Sequence, residues 1–200
     1  MLEIKKISIK SVKILFSIAF LVGVSEITAR RHDVILISYT KPEGRGYGFL
    51  SVTGDIKASR KKVWSVLTRT DEHICTHTKD VLKFSINKIG EGKYLAYYLL
   101  DYPWPMEDRW QKLIITHDKI HYRIYWERIE GTIKRNSGYY NLEDGDDFTT
   151  LNYRVEFDPG LNYVPDALVN YVVKIQAPKI LKNIRKCVYA SKDQTHEENI

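Results

Sequence analysis

Cysteine is scarce in this chain: two residues in 200, Cys75 and Cys187. One possible pair cannot make a disulfide scaffold. Proline and glycine are also modest, at 6 and 11, which excludes low-complexity or collagenous sequence. No apolar run is long enough to cross a bilayer comfortably, since the longest, Ile14 to Val24, falls well short of about 20 residues. Internal repeats and linkers are absent. So are the G-x-S-x-G elbow, the phosphate loop and the dinucleotide fingerprint. Lys and Arg are spread out rather than clustered with exposed aromatics, so nucleic acid is not an expected partner. No cofactor is called for either. His73 and His77 flank Cys75 at a spacing that superficially suits a metal, but no further Cys/His pair lies near, and a solvated loop is the expectation.

What is present begins at the amino terminus. Lys5, Lys6, Lys10 and Lys13 precede the apolar run, and Ile27-Thr28-Ala29 supplies a small residue behind it. This is the pattern of a secretory signal peptide over residues 1–29, with an uncleaved anchor or a mitochondrial-type presequence as the alternatives. Without Lys5, Lys6, Lys10, Lys13, Glu3 and Glu26, the 31 basic and 25 acidic residues fall to 27 and 23, a net +4. Such a mildly basic surface suits transient contact with a membrane surface or simple solubility. The expected compartment is outside the cytoplasm, most simply the periplasm. Export would put both cysteines where a disulfide persists. One pair in a domain of this size nevertheless reads better as two buried free thiols.

Aromatic residues make up 12% of the chain, and 14 of them are tyrosine. Tyrosine suits strands, and it equally suits walls that are part apolar and part wet. Residues 30–46 form a lead-in in which Val34 to Tyr39 reads as a short strand. Period-two alternation then starts at Leu50, Val52 and Ile56. Ser59 caps a short helix to about Thr68. Strands follow at Leu82–Ile86, Tyr94–Leu100 and Arg109–Thr116. A fourth carries Tyr122, Ile124 and Trp126 on one face, a fifth begins at Gly131-Thr132, and Leu151, Tyr153, Val155 and Phe157 alternate in the last. Pro165 opens a helix of roughly 25 residues, bent at Pro178, with an apolar stripe that includes Leu168, Val172, Leu181, Ile184 and Val188. The tail from 191 to 200 is polar. The order implies an α+β domain over 47–190, in which an antiparallel sheet covers its apolar face with the long helix.

Four segments, in order, resemble START domains of the helix-grip (SRPBCC, Bet v 1-like) superfamily. Ser59–Leu67 is similar to the family's short helix. Tyr102-Pro103-Trp104-Pro105-Met106-Glu107-Asp108-Arg109 looks like its "PWP…DR" segment. Gly138–Leu142 with Thr150–Gly160 is similar to its late hairpin, and Val164–Asn170 to the start of its gripping helix. Coverage is about residues 47 to 188. The resemblance implies a curved sheet wrapped round a C-terminal helix and a cavity for a lipid or other hydrophobic molecule, held without catalysis by a single chain.

Arg109 shares strand parity with Gln111, Leu113 and Ile115, which the resemblance turns toward the cavity. There Arg109 meets a ligand's phosphate or carboxylate, or pairs with Glu107 or Asp101. Trp104 is a candidate for the cavity mouth. Gln111, Tyr122, Trp126, Tyr153, Leu168 and Val172 are candidates for its wall. A cyclase or aromatase-like enzyme, and a module closed on a solid core, are the competing functions.

Overall fold

Alternation of apolar and polar side chains builds the sheet, and the sheet positions everything else. The computed structural model describes residues 34–43, 48–69, 80–102, 107–161, 169 and 172–191. In chain order these form β1 (Ile35–Thr40), β2 (Gly48–Ile56), α1 (Arg60–Leu67) and β3 (Val81–Gly90), then β4 (Lys93–Leu100) and β5 (Arg109–Asp118). After these come β6 (Arg123–Gly131), β7 (Arg135–Asp144), β8 (Thr149–Asp158), a π-helical turn (Val172–Gln176) and α2 (Ala177–Ala190). The eight strands make one curved antiparallel sheet in the order β1-β2-β8-β7-β6-β5-β4-β3. Hairpin neighbours pair from β3 to β8, and β2 closes against β8 with Val52 opposite Tyr153. The lead-in strand joins the sheet as β1, opposite β2, with Ile37 facing Val52.

One face of this sheet is buried. Leu50, Val52, Ile56, Ala96, Leu113, Ile115, Ile124, Leu142, Leu151 and Val155 all turn to it. On α2, Ala177, Leu181, Ile184 and Val188 are fully buried at a spacing of four, three and four. That is one helical face, and it lies against β1, β2 and α1. Polar ties fix both ends of the helix. Gln176 donates from Nε2 to the Asp80 carboxylate at 2.8 Å, and Arg185 donates from Nε to the Asp55 carbonyl at 2.8 Å. At α1, the Ser59 hydroxyl accepts from the Lys62 N–H at 3.4 Å, as its position before an apolar turn predicts.

The structure departs from the sequence reading at four points. The strand expected from Gly131 begins at Arg135. Gly131 instead ends β6 in a left-handed conformation (φ 134°), and the Thr132 N–H follows β5 by donating to the Trp110 carbonyl at 2.9 Å. Tyr122 is not in β6. It occupies the turn before it with φ 52°, which takes its ring off the strand's alternation. The apolar stripe expected through Val172 and Ile175 breaks there, because both are exposed, at 36% and 46%. The π-helical turn widens the helix by a residue and shifts the phase of what precedes α2. It ends two residues before Pro178, whose ring cannot follow a regular upstream turn. Finally, Cys187 is disulfide-bonded rather than a free thiol. The chain's other cysteine, Cys75, lies outside the described residues, as do His73, His77, the signal segment and the start of the expected long helix.

Reduction is therefore expected to cost about 2–4 kcal/mol of stability, the usual worth of a native disulfide. Melting curves with and without reductant measure it, and alkylation under denaturing conditions should label cysteine only after reduction. Coincident curves would show that the bond carries no stability.

Candidate functional site

The buried face of the sheet is not filled completely. Between β3–β8 and α1 lies a cavity of about 270 Å³. Its long wall is β5, from Gln111 through Leu113 and Ile115 to His117. The six residue steps from Gln111 to His117 span about 20 Å, so the space is a narrow slot. Val81, Tyr98 and Leu100 close one side, and Ile124, Trp126, Tyr140 and Tyr153 the other.

Three aromatic rings make the floor. Trp126 lies 5.2 Å from Tyr140 and 5.7 Å from Tyr153, centroid to centroid, and the two tyrosines are 5.1 Å apart. Gly138 makes this cluster possible. It sits opposite Trp126 in the β6–β7 register, and any side chain there would strike the indole and the Arg154 carbonyl. The indole is fixed by a relay: Trp126 Nε1 donates to Asn136 Oδ1 at 2.9 Å, and Asn136 Nδ2 donates to Gln111 Oε1 at 3.0 Å. Gln111, only 3% exposed, spends its carbonyl on this relay, which leaves its amide N–H groups for the cavity.

Tyr98, Tyr140 and Tyr153 all line this space. Burial pushes Tyr98, Tyr140 and Tyr153 well above the usual phenol range, and for Tyr140 the nearby phenols of Tyr153 and Tyr98 add to the effect. All three are neutral donors, and they are poorly suited to act as bases. At the other end, His117 stacks on Tyr94 with ring centroids 4.6 Å apart and meets the edge of Trp64 at 6.1 Å. No carboxylate lines the slot among the described residues, and His117 is its one imidazole there.

Of the residues singled out in the sequence, Gln111, Trp126 and Tyr153 meet in this cavity. Tyr122 packs instead against α1, 5.5 Å from Trp64 and beneath the Arg60 guanidinium at 4.3 Å. Val172 is exposed. Trp104 and Leu168 lie outside the described residues. Arg109 holds the inward parity expected of it, but it stands one step beyond Gln111 and is not part of the lining. It makes no ion pair with Glu107 or Asp101, both of which are exposed.

Tyr98, His117, Asn136 and Tyr140 were missed. Tyr140 was legible in principle: it is opposite Tyr153 in the β7–β8 register, so the parity of one fixes that of the other. Asn136 was hidden by the misplaced start of β7.

A larger hollow of about 560 Å³ lies on the opposite face of the sheet, over Phe49, Ile114, Tyr125 and Tyr139. It is a broad open saddle, whereas the buried polar relay and the shifted phenols belong to the smaller, inner space.

A curved antiparallel sheet with a C-terminal helix against it, and an aromatic-floored cavity between the sheet and α1, is the helix-grip, START-like fold. Comparison with solved structures places the chain in the same fold. It superimposes on a STAR-related lipid transfer protein from Xanthomonas axonopodis with a TM-score of 0.62 and 19% identity, over 78% of this chain and 93% of that one. The lipid transfer and protein localization domain of human StarD13 gives 0.60 at 13% identity, over 84% and 95%. The Zhui aromatase/cyclase from Streptomyces gives 0.57 at 17% identity, over 70% and 93%. No family model and no curated protein matches the sequence.

Proposed function

We propose that this domain is a non-catalytic carrier for a hydrophobic small molecule outside the cytoplasm. The observation that carries the reading is the slot itself: apolar along its length, floored by Trp126, Tyr140 and Tyr153, with the Gln111 amide as a fixed polar contact. At about 25 cal/mol per Å² of apolar surface removed from water, burial of the ligand supplies the affinity. The neutral donors select for a hydroxyl or carbonyl placed along the ligand. A volume just under the ~300–1,000 Å³ typical of small-molecule sites favours a single chain or a small ring system over a two-chain lipid.

The likeness to an aromatase/cyclase supports a second reading, catalysis on a ring-forming substrate. The lining counts against it, because the buried tyrosines hold their protons firmly and no carboxylate stands beside them among the described residues to act as a base. The disulfide at Cys187 supports an oxidising compartment and, with the basic and apolar amino terminus, favours export.

Native mass spectrometry of protein purified from its own host tests both halves. A bound molecule released by organic solvent, on a chain beginning near Arg30, is the expected spectrum. An empty cavity after gentle isolation, or a soluble chain retaining Met1, would overturn the carrier or the export half respectively.

A further inference from the structure

Beyond Gln111 the inner face of the sheet changes character. The inward residues of β6 run Ile124, Trp126 and then Arg128, which stands opposite Leu113 in the register. A bulge between Lys112 and Leu113 interrupts the pairing just there. Arg128 uses it to turn along the strand, donating from Nη2 to the Gly131 carbonyl at 2.7 Å. Gly131 is opposite Gln111, so the guanidinium is carried to the Gln111 end of the cavity. Arg109, two residues from Gln111 on the same face of β5, projects from the neighbouring strand at that end.

Both arginines are incompletely satisfied. The Nε of Arg109 and the Nε of Arg128 are shielded from solvent and have no hydrogen-bond partner among the described residues. Neither guanidinium has a carboxylate partner there. Glu130 in β6 is held at 2.6 Å by Lys112, while Arg60 pairs with Asp144 and Arg135 with Glu156. Gln111, its partner Asn136 and Tyr102 supply neutral polar groups at that end. Burial raises the Tyr102 phenol, and the positive charge of Arg109 partly offsets that rise. Two cations with buried N–H groups left unmade are costly for a fold to keep without an anion between them.

We propose that Arg128 and Arg109 form an anion site at the Gln111 end of the cavity. Resting on the carrier reading above, the ligand is then a single-chain amphiphile whose far end is a carboxylate or phosphate. Its apolar body occupies the slot, and its charged oxygens take the Nε donors of both arginines. Planar guanidinium forks suit such oxygens because they offer paired N–H donors at fixed spacing.

The test uses the mature chain and three probes: dodecanoic acid, dodecanol and inorganic phosphate. The unsubstituted protein is expected to bind the acid more tightly than the alcohol. Arg128→Gln should weaken the acid by about 10- to 100-fold, the worth of a charge-assisted hydrogen bond, and change the alcohol by no more than about twofold. Arg128→Lys should keep part of the preference. Arg109→Gln, which leaves the bond to Gly131 intact, should act in the same direction as Arg128→Gln and guards against a folding defect in that variant. Phosphate should raise the melting temperature above that in chloride of equal ionic strength, and Arg128→Gln should abolish the difference. Equal losses for acid and alcohol in both Gln variants would overturn the anion site. So would tight, indistinguishable binding of acid and alcohol with no phosphate effect, which leaves the carrier reading standing. If phosphate stabilises through Arg128 and neither amphiphile binds, the anion site stands for a free anion and the carrier reading falls.

Discussion

Gly138→Val is expected to unfold the protein several degrees early and to close the cavity. The strand around Gly138 is regular, so valine itself is no burden on the backbone there, and β-branched residues favour strands. The damage comes from what lies over it. A side chain at 138 meets the Trp126 indole on one side and the Arg154 carbonyl on the other. The carbonyl belongs to the β7–β8 ladder and cannot yield, so the indole must. Overpacking of this kind costs about 1–3 kcal/mol. Breaking the relay from Trp126 to Asn136 adds the cost of a buried donor left unmade, about 1–3 kcal/mol more. For a unit of this size, each kcal/mol moves the melting temperature by about 2–4 °C. Displacing the ring disrupts the floor of the slot, so affinity for any bound hydrophobe should fall at least about tenfold, a loss of roughly 1.4 kcal/mol. Thermal melts and ligand titration on one preparation measure both effects. Trp126→Leu in the Gly138→Val background should recover part of the lost stability, because the clash with the indole is gone while that with the Arg154 carbonyl remains. A valine variant with unchanged melting temperature and affinity would show that Gly138 does not set the position of the indole.

Alkaline pH gives the second large effect. In the unfolded chain, Tyr98, Tyr140 and Tyr153 ionise near the ordinary phenol value of 10.0, whereas burial raises all three in the folded protein. The folded state therefore holds protons that the unfolded state releases. The stability tied to these groups is fully present below pH 10 and is lost as pH rises above it. Each group that keeps its proton at pH 11 contributes a loss of roughly 1 kcal/mol there, so the three together remove a few kcal/mol. Urea unfolding at pH 9, 10 and 11 measures the slope, and phenolate absorbance counts the tyrosines that resist titration. Tyr153→Phe should remove about a third of the slope, because it deletes one of the three groups. A stability that stays flat to pH 11 would mean the hydroxyls are wet and the slot is open to bulk water.

These effects converge on residues that the sequence exposed unevenly. The alternation of Leu151, Tyr153, Val155 and Phe157 read directly as a strand with one buried face, because period two has a single solution in a half-buried sheet. Parity also put Arg109 and Gln111 on the correct face. It carried no information about depth, and two residues along β5 separate a cavity wall from the ground beyond it. Arg128 was invisible for a different reason: a bulge, which no local pattern announces, turned it toward Gln111. Tyr122 failed through its positive φ, since alternation places a side chain only while the backbone stays extended. The helix failed through phase: Leu181, Ile184 and Val188 were read correctly, and one π-helical turn put Val172 and Ile175 on the wrong side. Composition could not decide the state of Cys187, because pairing is set by geometry and compartment.

That turn also bears on how such a domain can change over generations. A π-helical turn is formally an α-helix with one residue added. Removing one residue between Val172 and Gln176 would restore the α-helical register, rotating Val172 by about 100° relative to α2, since one residue is 1/3.6 of a turn. The grip of Ala177, Leu181, Ile184 and Val188 on the sheet lies downstream and would be untouched. A single-codon deletion or insertion at this point is thus a switch between two faces for the same upstream side chains. Descendants can exchange the surface they offer at the helix entrance while inheriting the core intact.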